Sequence, residues 1–479
     1  MRLPLAATLL IAFAAAFPRG ALAGEGLAGS IDSALDRGCL NADKTAVRVV
    51  NARTGEVLYD RNGGAPLVPA SVMKLVTTAS ALHYLGPAYR FKTDILHTGV
   101  FENGVIDGDI IIRGRGDPKL TPENLWGIAK ELKRRGLIEI TGDLVVDDSF
   151  FDGRRRAPSW RARRTQRPYD AKLGALSVNF NTVAAHVFPG EAPGYPLIVS
   201  LEPESAYLTL VNKGKTTSGG KNRLSVRRVK DGNAARLVVS GSMRVGSEGR
   251  VVYVNIDDPL MFAAEAFRSS FENAGIKISG RAREGETTED AGILFTHESE
   301  PLAVILRQLN RHSSNFVAEQ IVKTIAAEAN GEPGAHEKAL RMTSDFMEEL
   351  GVDMTGVVLA DGSGLSRRNR LTARAMTDLL TAVRRRFDIG PDFVASLGIM
   401  GVDGSVRKRL KNSSARALAR AKTGTLARVS SLAGYVAGQG GRVYAFAILS
   451  NDNSCYYKKA DSIEDKVVTA VHLFDPAAP

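Results

Sequence analysis

The chain is 479 residues long, carries a formal net charge of +11, and contains two cysteines and seven histidines. Its length exceeds one ordinary domain and predicts two or three. Two cysteines cannot frame so long a chain, no histidines form an H-E-x-x-H or similar ligand pair, which argues against a zinc hydrolase, and the basic excess comes without a nucleic-acid-reading module.

The first residues, M-R-L-P-L-A-A-T-L-L-I-A-F-A-A-A-F, place Arg2 before an apolar run over 3–17, followed by Ala21, Leu22 and Ala23. This pattern predicts a signal peptide, residues 1–23, cut after Ala23. The run is shorter than the roughly 20 residues that span a bilayer, and no later segment reaches that length. The expectation is an exported, periplasmic protein without a transmembrane anchor; an uncleaved N-terminal anchor is the alternative. An anionic polymer outside the cytoplasmic membrane would fit both export and charge, and the run 154–167, R-R-R-A-P-S-W-R-A-R-R-T-Q-R, is the densest basic stretch. Cys39 and Cys455 could pair across the chain ends in an oxidising compartment; the sequence leaves this open.

Next in the chain, K-T-A-V-R-V-V-N-A-R-T-G-E-V-L-Y-D-R-N reads as a hairpin turning at 52–55. A helix is predicted directly after Pro69. From Phe91 to about Glu300 the texture is short alternating strands separated by glycine, with helices expected at 122–135 and 259–274. Helical spacing returns over 300–329 and 339–351. The end reads as three strands within 416–452, the last two joined at 438–441, and a closing helix over 460–473. A hairpin at each end with helices between predicts one α/β domain, residues 24–90 and 301–479, interrupted by a β-rich insertion at 91–300 with two nested subdomains.

Ser71 and Lys74 stand three residues apart where the first long helix begins. A serine hydroxyl needs a base to act as a nucleophile, and a lysine can be that base when desolvation or a nearby positive charge lowers its pKa. Helical spacing of three puts both side chains on one face, and a serine in the first turn sits where unpaired N–H groups favour developing negative charge. Spacing alone is cheap: Ser218 and Lys221 repeat it in a glycine-rich polar loop. Two further motifs single out the first pair. Ser313-Ser314-Asn315 lies near a helix end, and Lys422-Thr423-Gly424-Thr425 lies on a strand; K-T-G occurs once, whereas S-x-N recurs at Ser177-Val178-Asn179.

S-x-x-K, S-x-N and K-T-G in this order are the signature of penicillin-binding proteins and related β-lactamases. With the long span between Lys74 and Ser313, the chain resembles the D-alanyl-D-alanine carboxypeptidase/endopeptidase family, low-molecular-mass class C penicillin-binding proteins (peptidase family S13). G-R-G-D-P-K-L-T from Gly114, G-A-L-S-V-N-F-N from Gly174 and D-G-S-G-L-S-R-R-N from Asp361 add to the likeness, which covers nearly the whole mature chain.

The resemblance implies a transpeptidase-type fold, helices on an antiparallel sheet, and a cofactor-free, metal-free serine peptidase. Its partners would be peptidoglycan stem peptides, with β-lactams as covalent inhibitors. Ser71 would be the nucleophile and Lys74 its base, Ser313 and Lys422 would relay a proton, and Asn315 would hold Lys74 and the substrate. Thr423, Gly424 and Thr425 would line the substrate's path, with Lys422, Thr423 and Thr425 receiving the terminal carboxylate. Lys422 is expected to help depress the Lys74 pKa, and Gly424 to leave room for a ligand backbone. Related enzymes read the stem diamino acid with a loop of the insertion, often through an acidic residue. The corresponding stretch here is arginine-rich, with Asp170 the nearest acid. A β-lactamase or esterase on the same fold, and a non-catalytic wall-binding module, are the competing readings; no E-x-x-x-N motif of the class A β-lactamase kind lies between Ser313 and Lys422.

Overall fold

The computed structural model describes residues 26–36, 38–160, 165–232 and 234–475. The expected signal peptide and residues 161–164 of the basic run lie outside them.

The sheet nearest the motifs has six antiparallel strands in the order Gly398–Ile399, Ala419–Leu426, Val429–Ala437, Val443–Ser450, Thr45–Asn51 and Val57–Arg61. The front hairpin thus joins the strands at the chain's end, with Thr45 opposite Ser450 and Asn51 opposite Tyr444. Alternation along each strand sends side chains to two cores. Val47, Val49, Leu432, Phe446 and Ile448 face a layer formed by the helices Leu27–Asp36 and Tyr457–Leu473. Ala46, Val50, Ala433, Tyr435 and Ala445 belong to the other core, which takes in Met73–Leu85, Leu302–His312, Asn315–Asn330 and Ala373–Arg385. With both faces covered, the strands read as almost continuous apolar runs. Full burial stabilises by about 1.5–3 kcal/mol per large aliphatic or phenylalanine side chain.

Cys39 and Cys455 are disulfide-bonded, with 5.4 Å between their Cα atoms. The bond joins the segment before the first strand to the segment after the last, answering the question the sequence left open.

Between Lys92 and Glu298 the described residues build four further sheets of five, four, three and three strands. Two helices pack among them, Pro122–Arg134 and Pro259–Asn273, each opening on a proline whose missing N–H costs nothing there. Phe262, Phe267 and Phe271 of the second helix fill a core with Ile95, Ile112 and Val146, separate from the two cores of the six-stranded sheet.

The helices add to the sequence reading, Leu27–Asp36 among them. Helical spacing runs over 300–329 with Ser313–Asn315 read near a helix end, and the structure has two helices there, Leu302–His312 and Asn315–Asn330, on either side of Ser313. The helices Ala373–Arg385 and Gly390–Ser396 are additional; the first is capped by the Thr372 hydroxyl, which accepts from Ala375 N–H at 2.9 Å.

Candidate active site

Residues 70–72 form a short 3-10 turn after Pro69, and Met73–Leu85 continues as α-helix. Ala70, directly before Ser71, has φ +48°, a left-handed conformation that costs a residue with a Cβ on the order of 1–2 kcal/mol. Its neighbours hold it there. The Ser431 hydroxyl donates to the Pro69 carbonyl at 2.6 Å, while the Asn451 amide accepts from Val68 N–H at 2.8 Å and donates to the Val68 carbonyl at 3.0 Å. Two glycines make the space: a Cβ on Gly364 would lie 1.9 Å from the Ala70 oxygen, and one on Gly424 would lie 2.7 Å from the Pro69 oxygen and 2.8 Å from Ser71 N. Gly424 is therefore needed by the serine's own turn, where the sequence reading gives the room to a ligand.

Ser71 is partly exposed, and Lys74, one helical turn on, is fully buried. Lys74 Nζ lies 3.0 Å from Ser71 Oγ, 2.8 Å from Asn315 Oδ1 and 2.6 Å from the Ser363 carbonyl oxygen. The last two groups can only accept. A neutral amine therefore spends both N–H bonds on these carbonyls and turns its lone pair to the Ser71 hydroxyl. Burial lowers the Lys74 pKa to about 8 against the opposing pull of the Asp361 and Glu319 carboxylates. The sequence reading has Lys422 helping to depress Lys74. In the structure burial accounts for the shift, and the repulsion between the lysines falls on Lys422, held well below its usual range first by burial and then by Lys74.

The Ser363 carbonyl is aimed by groups that the sequence reading does not single out. Glu319, fully buried, accepts from Ser363 N–H at 2.8 Å and Gly362 N–H at 3.2 Å, and pairs with buried His336 at 3.1 Å. Burial alone would raise the Glu319 pKa; the bonds from His336 and the loop overcome it and lower it. Asp361 accepts from Gly364 N–H, Ser366 N–H and Asn369 Nδ2, each at 2.7 Å, and from Trp160 Nε1 at 3.0 Å. Its pKa is raised, by burial and then by Glu319. The D-G-S-G segment is thus the cradle beneath Lys74. A carboxylate inside the apolar run F-V-A-E-Q-I-V, one helical turn after Asn315, is the signal that could have found Glu319.

Ser313 also takes a left-handed conformation, φ +60°, between its two helices. Its N–H donates to the Leu309 carbonyl at 2.7 Å, while Ser314 Oγ caps the next helix by accepting from Val317 N–H at 3.3 Å. This bend puts Ser313 Oγ 2.9 Å from Lys422 Nζ, which also donates to the Thr423 carbonyl at 2.8 Å. Lys422 is fully buried, the Thr423 hydroxyl lies 2.9 Å from the Ser405 hydroxyl, and Thr425 is exposed. The fold thus gathers Ser71, Lys74 and Asn315 in one contact set, Ser313 and Lys422 in another, and lays Thr423, Gly424 and Thr425 on a strand beside Ser71.

The duplicate motifs go elsewhere. Ser218 and Lys221 are exposed between the strands Leu208–Thr217 and Arg223–Asp231. Ser177 is buried, donates to the Gly174 carbonyl at 2.7 Å, and accepts from Asn181 Nδ2 at 2.9 Å and Gln320 Nε2 at 3.4 Å, fastening the insertion to the helix Asn315–Asn330. Asp170 borders a cleft of about 210 Å³ with Trp160, Tyr169, Arg367 and Leu426. One of its oxygens is held by Arg156 at 2.8 Å and the other by Thr165 N–H at 2.6 Å. Among the described residues no cluster of three or more His, Cys, Asp or Glu could hold a metal ion, and no helix is long and apolar enough to cross a membrane.

An antiparallel sheet between two helical layers, with a lysine-faced serine at a helix start, defines the active-serine class of the penicillin-binding and β-lactamase type. The family model described as D-Ala-D-Ala carboxypeptidase 3 (S13) matches residues 27–471, and the chain belongs to that family of serine peptidases. A D-alanyl-D-alanine carboxypeptidase from an Actinomadura species is 34% identical over 439 residues, 88% of this chain and 80% of the relative. Penicillin binding protein 4 from Haemophilus influenzae, also solved with a β-lactam, superposes with a TM-score of 0.78 at 24% identity, covering 91% of this chain and 97% of that one. A predatory peptidoglycan endopeptidase from Bdellovibrio bacteriovorus shares the fold at a TM-score of 0.52 and 16% identity, covering 89% and 92%.

Proposed function

We propose that this serine peptidase removes the terminal D-alanine from peptidoglycan stem peptides and cleaves D-alanyl cross-links through an acyl-enzyme on Ser71, and that β-lactams acylate the same serine. The observation that carries the reading is the Lys74 amine: two acceptor-only carbonyls take its N–H bonds and leave Ser71 opposite the lone pair. The names of the relatives, a D-alanyl-D-alanine carboxypeptidase and a penicillin-binding protein solved with a β-lactam, support the same substrate class.

Ser71 Oγ adds to the carbonyl carbon of the penultimate D-alanine as Lys74 takes its proton. The oxyanion sits between the backbone N–H groups of Ser71 and Thr425, each donor contributing roughly 3–4 kcal/mol. Collapse breaks the C–N bond, and the leaving amine receives the proton by way of Ser313 and Lys422. Water then adds to the Ser71 ester, releasing the shortened peptide as its carboxylic acid and restoring the hydroxyl. Asn315 holds Lys74 and the substrate amide. Burial and then Lys74 hold the Lys422 pKa well below its usual range, and the substrate's terminal carboxylate opposes that shift as it arrives, because an opposite charge favours the ammonium. Thr423 and Thr425 bind the same carboxylate. The signal-peptide pattern of the first residues and the basic net charge support a periplasmic activity on an anionic wall polymer.

The test is labelled penicillin with adduct mapping by peptide mass, alongside D-alanine release from a pentapeptide. An adduct on Ser71 that is lost in Ser71→Ala, with D-alanine released, supports the reading. A folded protein that neither forms an adduct nor hydrolyses penicillin overturns it.

A further inference from the structure

Two clefts open on either side of Tyr169. The smaller one reaches Leu426; the larger, about 590 Å³, starts at Ser313 and Asn315 and lies between the helix Leu302–His312 and insertion residues that include Tyr169, Phe180 and Tyr253. The strand Ala419–Leu426 sets the polarity. Lys422, bonded to Ser313, and Leu426 stand four residues apart, roughly 13 Å in an extended strand, with Gly424 and Ser71 between them. On the acyl-enzyme reading above, the departing half of the substrate lies on the Lys422 and Ser313 side. The larger cleft opens from that side.

Its size does not match a single departing D-alanine. A volume of about 590 Å³ falls within the range of about 300–1,000 Å³ that encloses a drug-sized ligand. Its wall is also built at a cost. Asn179, Phe180 and Asn181 have consecutive φ values of +50°, +58° and +52°, a run that residues with a Cβ avoid and that persists only when the surroundings hold it. The strained turn sets the Phe180 ring edge-on to Phe316, 6.2 Å between centroids. Asn315 Nδ2 reaches the Tyr169 carbonyl at 3.5 Å, so the amide that holds Lys74 also touches the partition between the clefts. Tyr253 contributes a half-exposed ring.

We propose that this cleft is the subsite for the leaving half of a cross-linked substrate, a second stem peptide whose amine is acylated by the D-alanine under attack. The proposal rests on the acyl-enzyme reading. The bond broken is the C–N bond between that D-alanyl carbonyl and the second stem's amine; the acyl group stays on Ser71 and the amine departs with its proton. The alanine methyl groups and aliphatic diamino-acid arm of such a peptide pack against the aromatic wall, as apolar groups do against exposed rings.

Gln308 of the helix Leu302–His312 also lines the cleft, and the test compares Tyr253→Ala and Gln308→Trp, one opening the wall and one filling the cleft, with the unaltered protein on three substrates: a cross-linked muropeptide dimer, a monomeric pentapeptide and labelled penicillin. Expected is a fall of about tenfold in kcat/KM for the dimer, with D-alanine release and penicillin acylation within about twofold. An equal fall on all three substrates assigns the cleft to the acyl half or to the fold and overturns the proposal. No fall on any, or an unaltered protein that releases D-alanine yet leaves the dimer intact, also overturns it while leaving the carboxypeptidase reading standing. Failure of the unaltered protein to take penicillin defeats the acyl-enzyme reading and this inference together.

Discussion

Ser71 with Lys74, and Ser218 with Lys221, carry the same S-x-x-K pattern, and the fold treats them in opposite ways. The first pair starts a helix under the six-stranded sheet, where Lys74 loses all contact with water and two carbonyls claim its N–H bonds. The second lies exposed between two strands of the insertion. Desolvation is what lowers the Lys74 pKa, to about 8. Spacing therefore brings an amine near a hydroxyl, and burial is what loosens its hold on the proton. The glycines nearby differ in the same way: a Cβ on Gly424 would strike Pro69 and Ser71, whereas one on Gly219 meets nothing within 4 Å.

The strongest way to break this comparison is to remove the hydroxyls. Ser71→Ala is expected to lower turnover by roughly a million-fold, as for other serine nucleophiles, while Ser218→Ala leaves D-alanine release and penicillin acylation unchanged; similar losses in both would dissolve the contrast. Lys74→Ala is expected to slow acylation by about 10²–10⁴-fold, the range of a general base, with Lys221→Ala silent in the same stopped-flow assay. Gly424→Ala displaces the serine's turn and should cost about 100-fold in acylation, against no change for Gly219→Ala.

The pH profile sharpens the comparison further. The base works only when deprotonated, so acylation should rise with pH through about 8, where burial puts the Lys74 pKa, and level off above it. A rate independent of pH across that range would contradict the assignment. Glu319→Gln removes a carboxylate that raises the Lys74 pKa. The rising limb should therefore move to lower pH, damped because Asp361 sheds the Glu319 repulsion and ionises more readily. A limb that stays put, or moves up, would remove Glu319 from the Lys74 environment.

Much of the fold was legible. Both hairpins, the helices beginning at Pro122 and Pro259, and the three final strands follow local patterns of alternation, glycine and proline, and the structure places their ends within a few residues of the expectation. Around Ser313 only a nearby helix end was legible, because apolar spacing continues across it; the left-handed serine that ends one helix directly before the next is seen only in the structure. Glu319 and His336 were hidden, and Asp361 was legible only as the start of D-G-S-G-L-S-R-R-N with no role, since each looks like an ordinary polar residue until three distant segments close around Lys74.

By itself the sequence determined which residues could be near neighbours along the chain: Ser71 with Lys74 at a helix start, Ser313 with Asn315 near a helix end, and Lys422 through Thr425 on a strand. Helix and strand geometry act over three or four residues, so these short-range relations survive without the rest of the chain. The tertiary structure decided which lysine is dry, where the Ser313 hydroxyl meets Lys422, how Cys39 finds Cys455, and that Tyr169 borders two clefts, one reaching Ser313 and Asn315 and the other Leu426. Those outcomes depend on excluding water and on contacts between segments hundreds of residues apart, and neither is a property of any short stretch of chain.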